Sequence, residues 1–169
     1  QIVSFDIPFR TMRKYDYDAG KIASLTGAIK NELLKSSSIQ EVALSDQSVE
    51  DVGNSTGIKG WYFNGIDTSS NVSINRVIVE PGIKDLFNLQ LKEGRWLNKD
   101  NSDKKNFVLN ETAVNVLGIK MPVPGQLFIK NGDDTGRIIG VVKDYNFSPL
   151  YKKIEPLVFY DNDELKNSF

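Results

Sequence analysis

The sequence predicts an α+β fold, with mixed or antiparallel sheets and a few helices. Two observations indicate this class: one clear amphipathic helix lies near the N-terminus, and the short strands and helices after it do not alternate strictly. The length of 169 residues is enough for one ordinary domain, or for two small lobes that share a core.

The first 45 residues are predicted to form a strand, a helix and a second strand. Residues 2–9 alternate apolar and polar side chains, which is the period of a strand. Residues 21–35 have apolar residues at helical spacing, after the candidate N-caps Asp16 and Asp18. These apolar residues are Ile22, Leu25, Ile29 and Leu33. Residues 39–44 form the second strand, so the helix must pack on a sheet.

The middle of the chain is predicted to be mostly loop, followed by a strand and a short helix. Residues 45–71 are rich in Ser, Asn, Asp and Gly, which favours a loop or a short hairpin. The aromatic run at 60–63 lies within them, and its burial tendency favours a core position over an exposed contact. Residues 72–80 form a strand, and Pro81-Gly82 opens a short helix.

The second half begins with irregular segments and then a strand joined to a helix. A turn is predicted at 93–96, and the charged segment 99–105 is expected to be a solvated loop. A short strand at 107–109 leads to Asn110, a good helix N-cap. The helix that follows is expected to end at Gly118, because glycine favours the C-cap position.

The remaining strands are separated by turn residues. Residues 127–129 form a strand whose two end residues lie on one face, and the composition of 131–136 is that of a hairpin turn. An apolar strand runs over 138–145, and Gly140 within it predicts a bulge or a close approach of another backbone. Residues 157–160 form the last strand.

The composition excludes several kinds of chemistry. Without histidine, a Ser-His-Asp triad, a Cys-His pair and a zinc hydrolase site are impossible. Without cysteine, the chain has no disulfide scaffold and no thiolate metal site. The net charge is −1, with acids and bases interspersed, so that no broad field for a polyanion exists and nucleic acid is not an expected partner.

Two local motifs are interpreted as turns rather than as sites. The segment Asp134 to Gly136 has the Asp-Thr-Gly tripeptide of aspartic proteases, but turn residues precede it and a second carboxylate would be needed. Asn98, Asp100 and Ser102 alternate as in a calcium loop, yet the Gly and Glu of an EF-hand are missing. No catalytic, cofactor-binding or metal-binding residue is predicted, and the protein is not expected to be an enzyme.

The sequence contains no apolar run of 18 or more residues, so it predicts no segment that spans a membrane. Its N-terminus has no basic region, no signal-peptide core and no initiator Met. We therefore expect the chain to be part of a longer protein.

Several segments, in order between residues 72 and 160, resemble one protein family. The longest are FVLNETAVNVLG at 107–118 and GRIIGVVKDYNF at 136–147, and shorter ones are LKEGRW at 91–96 and IEPLV at 154–158. Together they resemble the periplasmic core domain of MacB-like and FtsX-like ABC permeases, above all the version in large Bacteroidetes-type permeases.

The family-motif positions are expected to specify the fold rather than chemistry. They are Gly94, Arg95, Asn110, Glu111, Gly118, Gly140, Lys143, Asp144 and Pro156. Asn110 is predicted to cap a helix that Gly118 ends, and Gly140 to permit a bulge. Lys143 and Asp144 end a strand where it meets solvent.

The resemblance implies one extracytoplasmic domain, residues 1–169, with two lobes. A porter-like strand–helix–strand lobe comprises approximately 1–46 with 146–169, and an inserted sabre-like lobe comprises 47–145. The family usually continues past the Ile-x-Pro strand with another strand–helix–strand, so the first lobe is expected to be incomplete, with an unpaired sheet edge that invites self-association. An additional proline in the turn at 121–125 is a local departure from the family pattern.

The resemblance also implies a function in transport. The domain would lie on the periplasmic side of the bacterial inner membrane, as part of an integral membrane permease. It would couple movement of the transmembrane helices to handling of a substrate or partner, as in efflux. Its partners would be the transmembrane helices of the same permease, a cytoplasmic ATPase domain or subunit, and a periplasmic adaptor or lipoprotein, with no cofactor. Two alternatives stay open: a free-standing envelope ligand-binding protein, and a carboxylate-dependent hydrolase such as a dimeric aspartic protease.

Overall fold

The computed structural model describes residues 1–7, 19–49, 61–63, 74–98, 103, 105–130, 134–146 and 153–161. Within this part of the chain there are three helices: α1 (Ala19–Leu34), α2 (Ile83–Leu86) and α3 (Glu111–Val116). The strands are β1 (Trp61–Phe63), β2 (Asn75–Ile78), β3 (Leu91–Gly94), β4 (Asn106–Asn110), β5 (Leu127–Lys130), β6 (Asp134–Val142) and β7 (Leu157–Tyr160). The seven strands form one mixed sheet, which confirms the α+β class.

The sheet is organised around its longest strand, β6. The strand order is β1-β5-β6-β4-β7-β2, and β3 also pairs with β6. One edge of β6 borders β5 along its first half and β3 along its second half, both antiparallel. The other edge borders β4 in parallel. The pair of β2 and β7 is also parallel, whereas β4 and β7 are antiparallel.

Each face of the sheet carries its own hydrophobic core. Side chains alternate between faces along a strand, and in β7 Val158 and Tyr160 point to the first core while Leu157 and Phe159 point to the second. α3 supplies the first core with Ala113 and other apolar residues, and α2 supplies the second core with Ile83. A sheet covered on both faces explains why all four residues of β7 are buried.

Two predicted strands in the N-terminal part are wrong. Residues 1–7 form no strand, and Val3 and Phe5 are 77% and 62% exposed. A strand requires a neighbour for its backbone N–H and C=O groups, and none of the described strands borders this segment. Residues 39–44, predicted to form the second strand, are also irregular. The next residue, Ser45, forms an isolated β-bridge with Val79.

The amphipathic helix is confirmed as α1, and its apolar stripe is on the less exposed side of the helix. The candidate caps Asp16 and Asp18 lie outside the described residues. Among the described residues, no helix has the length and apolar character that crossing a bilayer requires.

The other strands are confirmed with shifted ends. Of the strand predicted at 72–80, residues 75–78 form β2, and residues 72 and 73 lie outside the described part. The strand predicted at 138–145 is β6, which begins earlier and ends at Val142. β6 begins early because Asp134 already pairs with Lys130 in a hairpin with β5. The Asp-Thr-Gly segment is therefore strand rather than turn. In β5 the residue buried in the core is Phe128. It lies between Leu127 and Ile129, the two residues that the sequence analysis placed on one face.

The predicted positions of the aromatic run and of the lobes stay predictions. Residues 61–63 form β1 beside β5, but their side chains and residue 60 lie outside the described part. The division into lobes at about 46 and 146 is likewise untested. The sheet places β7 directly between β2 and β4.

Candidate functional site

The family-motif residues lie at two places on the sheet. Asn110, Glu111, Lys143, Asp144 and Pro156 lie where β4 and β6 end and where β3 and β7 begin, and we call this group the strand-end cluster. Gly94, Arg95 and Gly140 lie where the end of β3 pairs with the second half of β6. Gly118 is separate from both groups and follows α3 with a φ of 62°, as the C-cap prediction requires.

Asn110 is the buried centre of the strand-end cluster. Its Oδ1 accepts hydrogen bonds from the backbone N–H of Ala113 and of Leu157, both at 2.9 Å. Its Nδ2 donates to the carbonyl of Glu155 at 3.0 Å. One side chain thus caps α3, as predicted, and also fastens the start of β7 to the end of β4. The adjacent Pro156 accepts a 2.9 Å hydrogen bond from the N–H of Asn75, which ties in β2.

Glu111 and Asp144 hold α3 and the end of β6 together in a reciprocal arrangement. Asp144 accepts from the N–H of Thr112 at 3.0 Å and from its hydroxyl at 2.7 Å. The N–H of Asp144 in turn donates to Glu111 Oε2 at 3.1 Å. Both carboxylates lie at the first turn of α3, where they are favoured by the unpaired N–H groups and by the helix dipole.

The outer side of the strand-end cluster is charged. Lys92 Nζ on β3 donates to Glu111 Oε1. This hydrogen bond is the main reason that the pKa of Glu111 is lowered and the pKa of Lys92 is raised. Lys143 is exposed, and its backbone N–H donates to the carbonyl of Gln90 at 2.8 Å. Together with Lys92, the strand-end cluster contains two cations and two carboxylates, and the pair of Lys92 and Glu111 joins β3 to α3.

Gly94 and Gly140 allow the backbones of β3 and β6 to approach each other closely. A Cβ at Gly140 would lie 2.1 Å from the carbonyl oxygen of Arg95, and a Cβ at Gly94 would lie 2.2 Å from that of Ile139. Gly94 also has a φ of 69°, which disfavours other residues. The pairing of β6 with β4 shifts register beside Gly140. Both parts of the sequence prediction, the bulge and the close backbone approach, are thus confirmed.

Arg95 forms an ion pair with a buried carboxylate, which the sequence analysis did not predict. Its guanidinium donates to both carboxylate oxygens of Asp103, at 2.6 and 2.7 Å. Asp103 also accepts from the N–H of Asn98 at 2.8 Å and from Nδ2 of Asn106 at 2.6 Å. The Asp103 side chain is only 1% exposed, so the prediction of a solvated loop is wrong at this residue. The sequence does contain one indication of this contact. Asn106 follows Asp103 by three residues, a spacing at which the two side chains can hydrogen-bond across a turn.

The Asp103 pair predicts an acid-sensitive contribution to stability. Hydrogen bonding to Arg95 lowers the pKa of Asp103 from 3.8 to about 2. Because the pKa is lower in the folded chain, the contribution is complete above about pH 5 and is lost as pH falls toward 2. The pKa difference corresponds to about 2 kcal/mol. We expect Asp103→Asn to lower the free energy of unfolding by about this amount at pH 7, and by much less at pH 2.

Urea unfolding of both proteins at the two pH values measures this difference. Glu32→Gln is the control, because Glu32 pairs with Lys35 on the surface of α1 and should have an effect near zero. An equal loss at pH 7 and pH 2 for Asp103→Asn would show that the carboxylate charge is not what stabilises the loop.

The described residues contain no group of three or more acidic side chains that could hold a metal ion. Of the calcium-like loop, Asp100 and Ser102 lie outside the described part of the chain. Among the family-motif residues, the side chains of Arg95, Asn110, Glu111 and Asp144 make contacts within the fold. That the family-motif positions specify the fold rather than chemistry stays a prediction.

Comparison with solved structures identifies a similar fold. The periplasmic region of MacB from Actinobacillus actinomycetemcomitans is 25% identical, with a TM-score of 0.54, and the match covers 79% of this chain and 53% of that one. A domain assigned to a permease protein from Porphyromonas gingivalis is 18% identical, covering 72% of this chain and 50% of that one, with a TM-score of 0.46.

The extracellular domain of the noncanonic ABC-type transporter YknZ from Gram-positive bacteria is 16% identical, covering 75% of this chain and 67% of that one, with a TM-score of 0.46. The chain spans about half the length of the first two structures. No protein-family model matches the chain, and no curated protein matches it.

Proposed function

We propose that this chain, which shares its fold with the periplasmic region of MacB, is the extracytoplasmic domain of an ABC transporter permease. In this proposal it couples movement of the transmembrane helices to handling of a substrate or partner outside the cytoplasmic membrane, and it catalyses no reaction. The observation that carries the proposal is the 25% identity and shared fold with the periplasmic region of MacB over 79% of the chain.

The way the sheet is held together supports a coupling role. A domain that transmits movement must keep its own shape while its contacts differ between two states. Both faces of the sheet are packed, and polar side chains fasten its strand ends: Asn110 joins β4, α3 and β7, while Asp144 joins β6 to α3. These contacts favour movement of the sheet as one body.

The proposal includes partners on both sides of the membrane. The transmembrane helices of the same permease would displace the domain, and a cytoplasmic ATPase domain or subunit would bind and hydrolyse ATP. Outside, the domain would contact a periplasmic adaptor or a lipoprotein, as an efflux or envelope transporter requires. The charged outer side of the strand-end cluster, with Lys92 and Lys143, offers polar contacts suited to the rim of a protein interface.

Thiol labelling tests on which side of the membrane the domain lies. The chain contains no cysteine, so Ser37→Cys places one thiol at an exposed turn after α1. We expect a membrane-impermeant maleimide to label this cysteine in the parent protein in spheroplasts without lysis. The unsubstituted parent protein is the control for other thiols. Labelling that requires lysis would place the domain in the cytoplasm and contradict the proposal.

A further inference from the structure

Helix α1 stands apart from the two cores of the sheet. Within the described part of the chain, neither core contains a residue of α1, whereas α2 and α3 each contribute to one of them. Of the apolar stripe of α1, only Ile22 is fully buried, and Leu25, Ile29 and Leu33 are half-buried. Most helical stability in proteins comes from packing of an apolar face, and among the described residues α1 packs less apolar surface on the sheet than α3 does.

Among the described residues, the carboxylate of Glu80 joins α1 to the sheet. Lys30 Nζ lies 2.7 Å from Oε2 of Glu80, which follows the end of β2 by two residues. The same oxygen accepts from the N–H of Leu44 at 3.2 Å, and the N–H of Glu80 donates to the carbonyl of Leu44 at 2.9 Å. We call Lys30, Leu44 and Glu80 the latch. The Lys30 and Glu80 side chains are 32% and 30% exposed, so water can reach the ion pair.

The chain that follows the latch is fixed to β2. The N–H of Asp46 donates to the carbonyl of Ile78 at 3.0 Å, and Asp46 Oδ1 accepts from the N–H of Ile78 at 2.8 Å. Asp46 Oδ2 lies 2.9 Å from the guanidinium of Arg76, and Val49 is buried in the second core. The exposed turn at 36–38 lies between α1 and this anchored segment, where backbone rotation would move the helix relative to the sheet.

We propose that the latch is a releasable joint between α1 and the sheet. When the Lys30–Glu80 pair separates, α1 swings about the turn at 36–38 as a unit, and the sheet with both cores stays folded. The inference deepens the proposed function, on which its biological meaning rests, because a coupling domain needs an element that moves relative to a rigid body. An ion pair open to water can break and re-form within such a movement.

Hydrogen exchange of this chain, measured by mass spectrometry, tests the joint. We expect α1 amides to exchange through a local opening, faster than the amides of β4 and β7. Glu80→Gln and Lys30→Met should each accelerate α1 exchange roughly fivefold without changing β7, as loss of an ion pair of this exposure implies. The double variant should be no faster than either single variant, because both remove the same contact.

Glu32→Gln is the matched control, because it removes a carboxylate from an ion pair on the same helix that does not touch the sheet. Equal exchange rates for α1 and β7 in the unaltered chain would overturn the proposal, and so would an acceleration of β7 in step with α1. This outcome is independent of the labelling of Ser37→Cys. If Ser37→Cys were labelled only after lysis while α1 still exchanged through a local opening, the transport function would be rejected and the proposed movement of α1 would stand.

Discussion

Replacing Gly140 with alanine is expected to destabilise the domain by about 3 kcal/mol, a large fraction of the roughly 5–15 kcal/mol that stabilises a typical domain. The added Cβ would lie 2.1 Å from the carbonyl oxygen of Arg95 and 3.0 Å from its carbonyl carbon. Both atoms belong to the backbone, so no side-chain rotation can relieve the overlap. Relief requires β3 to move away from β6, which breaks the hydrogen bond from the Arg95 N–H to the Ile139 carbonyl at 2.9 Å.

Two other glycines are controls for this prediction. Gly118 has a φ of 62° with open space around its Cβ position, so Gly118→Ala should cost only about 1 kcal/mol of backbone strain. Gly27 lies in α1, and a Cβ added there would contact no atom within 4 Å apart from the backbone of the helix itself, so Gly27→Ala should stabilise the chain by about 0.5–1 kcal/mol. Urea unfolding followed by circular dichroism gives all three values. A loss below about 1 kcal/mol for Gly140→Ala would mean that the backbones of β3 and β6 do not approach each other this closely.

The features that could be predicted from the sequence are those that short-range stereochemistry determines. Asn110 was predicted as a cap and Gly118 as a helix end because few residues suit either position. Gly140 was predicted to mark a bulge or a close approach because a glycine within an apolar strand needs such a reason. The resemblance to the MacB-like family rested on the same residues, since fold-determining positions are the ones that motifs record.

The features that were missed depend on which segments meet in space. Residues 2–9 have the alternation of a strand, but alternation cannot supply a neighbouring strand. Asp103 was predicted to be solvated because its segment is charged, and only the folded chain brings Arg95 within 2.7 Å of it. The second role of Asn110, its hold on β7, joins residues 47 positions apart, which no local pattern indicates.

That second role of Asn110 leads to a prediction of similar size. Asn110→Ala should lower the free energy of unfolding by about 3–4 kcal/mol, because it leaves the N–H of Ala113, the N–H of Leu157 and the carbonyl of Glu155 without their partner. Loss of the helix cap alone accounts for about 1 kcal/mol of this. The larger part comes from the two groups that belong to the start of β7.

Asn110→Ser separates the two roles. Serine is a good N-cap, so it can keep the bond to Ala113, but its shorter side chain cannot also replace the two bonds to the β7 segment. We therefore expect Asn110→Ser to lie between the original chain and Asn110→Ala, with a loss of about 2 kcal/mol. Asn115→Ala is the control, because Asn115 is exposed on the same helix and alanine is a better helix former.

Urea unfolding measures the losses, and hydrogen exchange of the Leu157 amide reports the joint to β7 directly. In Asn110→Ser this amide should exchange faster while α3 keeps its protection, because only the cap is retained. If serine restored full stability, Asn110 would act on α3 alone, and the start of β7 would be held by packing. If both substitutions were equally harmful, the helix cap would contribute nothing beyond the connection of β4 to β7.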